Sequence, residues 1–268
     1  MDELYVISPS TKKYAWGQKT FEVTGKLTID FLRNENSEKN VVAIGGGTVM
    51  DAAKIIASDR LVCFPTTASG SPCSNHSVIW DGIIKKSHES RRADVVEVNE
   101  DYCVGLSEET IFNTRVDVWA HAIDTLYSKR ATTESKKLSE EILERLSDKN
   151  LSNVDLVRIG NKGGDLIRMV PTTLLHGISY PMTGLYDISH GYAMSLAIKG
   201  LCDVMNLDAT RWFNSKTLLE RNINITDKIP KDYEKPILLT EIMKYDKIHE
   251  FDMGVDITAS VISEILGN

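Results

Sequence analysis

Residues Asn40–Phe64 read NVVAIGGGTVMDAAKIIASDRLVCF. Val41–Ile44 is a continuous apolar run of the length a buried strand uses, and three glycines follow it. Thr48–Ser58 is rich in helix formers, and Leu61–Phe64 is a second apolar run. Strand, tight turn, helix and strand in that order make a βαβ unit, whose crossover sets the two strands parallel. Outward from this unit, Ser77–Gly82 (SVIWDG) and Ala93–Asn99 (ADVVEVN) read as further strands with turn chemistry between them. The sheet is therefore expected to run to about residue 100.

From Leu106 the period changes. Phe112, Val116, Trp119, Ile123 and Leu126 fall on one helical stripe, and strong helix formers continue to Leu146. Leu166–Ile178, His190–Met205 and Asp256–Leu266 read as helices as well, whereas the glycines and asparagines of Asn150–Asp165 predict a loop. The expected fold is an α/β N-terminal domain with a mostly parallel, truncated Rossmann-like sheet over residues 1–106. An all-α metal-binding domain over residues 107–268 follows it.

Bulk properties narrow the function. A net charge of -7 argues against a nucleic-acid surface, since phosphate backbones are bound by clustered Lys and Arg. The chain has 42% hydrophobic residues and no long apolar run, so no membrane partner is expected. Its opening residues lack the basic-then-apolar order of a secretory signal, which predicts a cytoplasmic protein. Cys63, Cys73, Cys103 and Cys202 form no Cys-x-x-Cys pair and read as reduced structural thiols.

Glycines between a buried strand and a helix let an anionic ligand approach the helix amides, so Gly45, Gly46 and Gly47 are candidates for cradling a pyrophosphate. The ordinary alternative is a tight turn followed by a capping pair, Thr48 with Asp51. Asp51 would repel a bare phosphate, so its functional role would be a hydrogen bond to loop amides or to a sugar hydroxyl. Thr66 and Thr67, in PTTASGS, follow the next strand at the crevice where α/β sheets bind ligands.

In DVWAHAID, Asp117 and His121 stand four apart and share a helix face, which is both metal-ligand spacing and the spacing of an ordinary helical hydrogen bond. His176 and His190 each precede a glycine near a junction of loop and helix, within HGISYPMTGLYDISHG. Singly, each reads as a satisfied polar residue. Together, one carboxylate and three imidazoles suit Fe(II) or, as second choice, Zn(II).

These stretches resemble, in the same order, those of the iron-containing (group III) alcohol dehydrogenases of the dehydroquinate-synthase-like superfamily. GGGTVMDAAK is similar to that family's glycine loop, PTTASGS to its Pro-Thr-Thr segment, DVWAHAID to its Asp-x3-His helix and HGISYPMTGLYDISHG to its paired-histidine segment. The resemblance implies that Asp117, His121, His176 and His190 hold the metal. It places Gly45, Gly46, Gly47, Thr48, Asp51, Thr66, Thr67 and Lys86 along an NAD or NADP dinucleotide. Tyr180 stands where the family often has a further histidine, which marks it as the catalytic candidate. With only 44 residues before Gly45, the nucleotide domain is shorter than the family's. The implied activity is metal-dependent interconversion of a small aldehyde and an alcohol by hydride transfer, by a homodimer. The alternatives are a metal-binding homologue acting as a scaffold and a dehydroquinate-synthase-like lyase.

Overall fold

The computed structural model describes residues 3–34, 40–81, 84–213 and 235–266. Its chain divides into two compact units that are interleaved in sequence: Met1–Thr114 with Leu151–Arg168, and Arg115–Asn150 with Met169–Asn268. The sequential division expected at residue 106 is thus replaced by one in which a later segment returns to the first unit. Among the described residues no helix is long and apolar enough to cross a membrane.

The first unit is built on a five-stranded, all-parallel sheet in the order β2-β1-β3-β4-β7. These strands are β1 (Glu3–Ile7), β2 (Thr20–Glu22), β3 (Asn40–Gly45), β4 (Arg60–Pro65) and β7 (Val95–Val96). The expected βαβ unit is present as β3, α2 (Gly47–Ile56) and β4, preceded by the short helix α1 (Ile29–Asn34). Val41, Ala43, Leu61 and Cys63 pack with Val49, Ala53 and Ile56 of α2 into one core. Continuous apolar runs are what a strand covered on both faces requires.

Two sequence expectations change here. SVIWDG does form a strand, β5 (His76–Asp81), but it pairs antiparallel with β6 (Ile84–Glu89) in a separate two-stranded hairpin and does not extend the sheet. Sheet continuation passes instead to β7, which pairs with β4. The predicted loop at Asn150–Asp165 is mostly helix, α5 (Asn153–Met169). Its glycines are a contact face. Gly70 has the left-handed φ of 67°, and a Cβ placed on Gly164 would fall 2.8 Å from the Gly70 carbonyl carbon and 3.0 Å from Cys73 Cβ. Close approach of two backbones, not chain flexibility, explains the glycine. Gly164→Val should lower the stability of the protein by about 1–3 kcal/mol through overpacking, read as a shift in urea midpoint.

The second unit is helical: the greater part of α3 (Glu108–Leu126), then α4 (Thr133–Leu146), α6 (Leu174–Tyr186), α7 (His190–Met205), α8 (Lys235–Met243) and α9 (Ala259–Ile265). The helical run expected to Leu146 is broken between α3 and α4, where Thr132 caps α4 by accepting from Ser135 N. The helix expected over Leu166–Ile178 is likewise split, since Pro171 lies between α5 and α6. The predicted α3 stripe is the buried one, with Val116 and Trp119 at 0% exposure, and Trp119 packs against Trp212 and Phe213. All four cysteines are free; Cys63, Cys103 and Cys202 are buried, and burial pushes the Cys63 thiol up to about 12.

Candidate functional site

Three helices of the second unit bring the distant histidines to Asp117. Asp117 and His121 occupy successive turns of α3, His176 lies in the first turn of α6, and His190 is the first residue of α7. The Nε2 atoms of His121, His176 and His190 lie 3.4, 3.5 and 3.6 Å from the same oxygen, Asp117 Oδ1. For ligands about 2.1 Å from a tetrahedral cation, neighbouring donor atoms stand about 3.4 Å apart. Asp117, His176 and His190 each offer a donor atom within 4.8 Å of the others, the spacing a shared cation needs, while His121 meets Asp117 but falls outside that group.

The donor atoms also want an explanation on hydrogen-bonding grounds. Among the described residues, Asp117 Oδ1 and His176 Nε2 are buried and have no hydrogen-bond partner. Such atoms carry the cost of desolvation unless something compensates them. A divalent cation does so, and the residues present fit one. Burial pushes the Asp117 carboxyl up, but the imidazoles, His121 first among them, outweigh burial and hold it well below the usual carboxylate range. Burial takes His121 down to about 4 against the pull of Asp117, so this imidazole is neutral at physiological pH and its lone pair is available.

A carboxylate not singled out by the sequence completes the arrangement. Asp124, fully buried two turns beyond Asp117 on α3, accepts from His176 Nδ1 at 2.8 Å. The same carboxylate accepts from Thr173 N and Leu175 N, both at 3.0 Å, at the start of α6. It therefore caps α6 and fixes the His176 ring in one act, leaving Nε2 to face Asp117. The Asp124 carboxyl is lowered, because the His176 hydrogen bond and then the α6 amides outweigh its burial. The signal lay in DVWAHAID itself: Asp117 and Asp124 stand seven positions apart, which puts both on one helix face.

Tyr180 sits one turn after His176 and stacks on His190, with ring centroids 5.6 Å apart and planes 13° apart. Burial first, then Asp117, raises its phenol well above the ordinary value. Tyr180 can donate a proton in a hydrogen bond at neutral pH and cannot serve as a base there.

In the first unit, the Gly45–Gly47 turn lies where β3 meets α2, and Thr66 N donates to Gly45 O at 2.9 Å, so the Pro65–Gly70 turn is tied to it. Thr48 is exposed, Thr66 buried and Thr67 partly buried in this neighbourhood. Asp51 turns inward. Its Oδ1 accepts from Ser71 Oγ at 2.5 Å and its Oδ2 from Val78 N at 3.2 Å. Lys54 is buried with it, donating to Ser71 O, Ser74 Oγ and His76 O. These two side chains brace the turn from behind, Asp51 in part by accepting from a backbone amide. Lys86 is exposed on β6, opposite Ile79 in the hairpin.

A parallel α/β unit and a helical unit that brings Asp117, His176 and His190 into one metal-type donor group, with His121 beside Asp117, define a two-unit protein with a candidate metal site. No protein-family model matches the chain. The 4-hydroxybutyrate dehydrogenase of Clostridium kluyveri is 25% identical to it over 280 residues, covering 90% of this chain and 69% of that protein. The phosphonoacetaldehyde reductase of Streptomyces viridochromogenes is 25% identical over 200 residues, covering 59% of this chain and 51% of that protein. Against that second relative, the chain spans about half the length. Among solved structures, an iron-containing alcohol dehydrogenase of Thermotoga maritima superposes with a TM-score of 0.76 at 17% identity, covering 100% of this chain and 92% of that one. The chain has the fold of the iron-containing alcohol dehydrogenases and is similar in sequence to this dehydrogenase and this reductase.

Proposed function

We propose that the protein is a metal-dependent NAD(P) oxidoreductase that interconverts a small aldehyde and its alcohol. The observation that carries this reading is the convergence of three Nε2 atoms on Asp117 Oδ1. In this reading Asp117, His121, His176 and His190 hold Fe(II), with Zn(II) the second choice, as their one-oxygen, three-nitrogen set suits. The Gly45–Gly47 turn, Thr48, Thr66 and Thr67 hold the dinucleotide, with Lys86 beside them; Asp51 supports the turn through Ser71 and Val78. When bound, the cation supplies Lewis acidity toward a carbonyl or alcohol oxygen, and the nicotinamide supplies the hydride donor or acceptor.

The chain's own residues do the rest. Asp124 keeps the His176 ring oriented, and Tyr180, held protonated, offers its phenolic hydrogen to a substrate oxygen. Two relatives carry names of substrates with an acidic group, 4-hydroxybutyrate and phosphonoacetaldehyde, and this chain is read as acting on the same broad class of aldehydes and alcohols. A cytoplasmic homodimer belongs to the same reading, and light scattering tests the dimer.

The test is metal dependence. Protein stripped with a chelator should neither oxidise NADH or NADPH in the presence of an aldehyde nor regain that ability until Fe(II) or Zn(II) is restored. Dinucleotide binding is followed separately by fluorescence. Aldehyde-dependent oxidation that persists undiminished in stripped protein, or no oxidation in metal-loaded protein across C2 to C4 aldehydes, overturns the proposal.

A further inference from the structure

Lys247 is the cation of this neighbourhood that the metal-type cluster leaves unused. It lies in a 3-10 turn, Asp246–Glu250, that packs against α6. That packing is close: at Gly177 an added Cβ would collide with the Ile248 side chain, so the absence of a side chain at 177 lets the turn seat Lys247 against the helix. The Lys247 ammonium stands 4.1 Å from the Tyr180 ring centroid and donates to Thr172 Oγ1 at 3.2 Å. Tyr180 in turn contacts the rings of His190 and Tyr245, at 5.6 and 5.9 Å. One tyrosine thus touches both a candidate ligand and this lysine.

An ammonium has three hydrogens to donate, and Thr172 takes one. Among the described residues no carboxylate lies within ion-pair distance of Lys247; Asp124, the acid that most influences it, is already committed to His176 and the amides of α6. Burial brings the lysine down to about 8 with Asp124 pulling the other way, which leaves it charged at neutral pH. Half-buried, with donors to spare and, among the described residues, an aromatic face and a hydroxyl against it, this cation lacks the counter-charge that ordinarily compensates even partial burial.

Resting on the oxidoreductase reading above, we propose that Lys247 is the specificity-determining residue of the site, binding the anionic end of an aldehyde substrate whose far group is a carboxylate or a phosphonate. Thr172 and Tyr180 position the ammonium, and the reacting oxygen lies toward the imidazoles. An uncharged aldehyde of the same length leaves the lysine without its partner.

The test uses metal-loaded full-length protein and two kinds of measurement. Succinate and phosphonoacetate, which have no carbonyl to reduce, are titrated by calorimetry against the native protein, Lys247→Met and Lys247→Arg. A charge-assisted hydrogen bond contributes enough that the methionine variant should bind the better probe about tenfold or more weakly, while arginine retains most of the affinity. Steady-state kinetics with 4-oxobutanoate and butanal should show a native preference for the anion that Lys247→Met removes chiefly through KM. Tighter binding of one probe identifies carboxylate or phosphonate as the recognised group. Equal binding by native and methionine proteins, no probe binding by native protein, or an unchanged anion preference each overturns the assignment of Lys247. Turnover of butanal with no anion preference would sink this inference and leave the oxidoreductase reading standing; anion binding through Lys247 with no turnover of either aldehyde would sink that reading instead.

Discussion

Asp117→Ala protein, freshly purified, is expected to contain little metal, well below one ion per chain, and to show no more aldehyde-dependent NADH or NADPH oxidation than chelated native protein. The geometry makes this residue the hub. All three imidazole Nε2 atoms stand 3.4 to 3.6 Å from its Oδ1, and it is the anionic member of the set. Loss of a residue that merely orients a ligand costs about 10–100-fold in affinity, and removing a charged ligand itself should exceed that. Elemental analysis beside native protein measures the result. Near-stoichiometric metal in the variant would mean that the four side chains are neighbours without being a ligand shell.

The part of this site visible in sequence was the part written in local spacing. Asp117 and His121 share a helix face because they are four apart, and the two His-Gly pairs fall at helix starts, His176 in α6 and His190 in α7. What no spacing contains is the partner of each group. Asp124 stands in the same octapeptide, but its role depends on amides and an imidazole about fifty residues later. Lys247 is more distant still, and its placement depends on a 3-10 turn packing where Gly177 has no side chain.

The fold divides along the same line. The β3-α2-β4 unit was legible because apolar runs and glycines mark a parallel crossover directly. β5 was legible as a strand, yet its partner was not, since Ile84–Glu89 is largely polar and carries no alternation to announce a hairpin. At α5 a correct observation led to the wrong element. Glycine and asparagine favour loops when chain freedom decides, but Gly160 and Gly164 lie where Ala68 and Gly70 press against a helix, and tertiary contact overrides propensity. Asp51 and Lys54 follow the same logic. Their place in the glycine-loop motif is plain in the sequence, while the hydrogen bonds that tie them to Ser71, Val78 and their neighbours are not.

Replacing Asp124 should be the costliest single change to the stability of the second unit. Asp124→Ala removes the acceptor of His176 Nδ1, Thr173 N and Leu175 N together, in a site with 0% exposure. Breaking one side of a buried, hydrogen-bonded charge costs about 3–5 kcal/mol. Because the native Asp124 carboxyl lies below its unfolded value, with burial opposed and outweighed by the His176 bond, its contribution is complete above the unfolded value near 4 and is lost as pH falls through the lower, folded one. The stability gap between native and variant proteins should therefore be widest near neutral pH and close in acid. Asp124→Asn keeps the shape and one acceptor oxygen, so it should fall between the two in stability while still losing about 10–100-fold in metal affinity through a loosened His176. Urea unfolding of metal-free proteins between pH 3 and pH 7, with metal titrations at pH 7, separates the two effects. An alanine variant within about 1 kcal/mol of native at pH 7 would show that α6 holds its start, and the His176 ring, without this carboxylate.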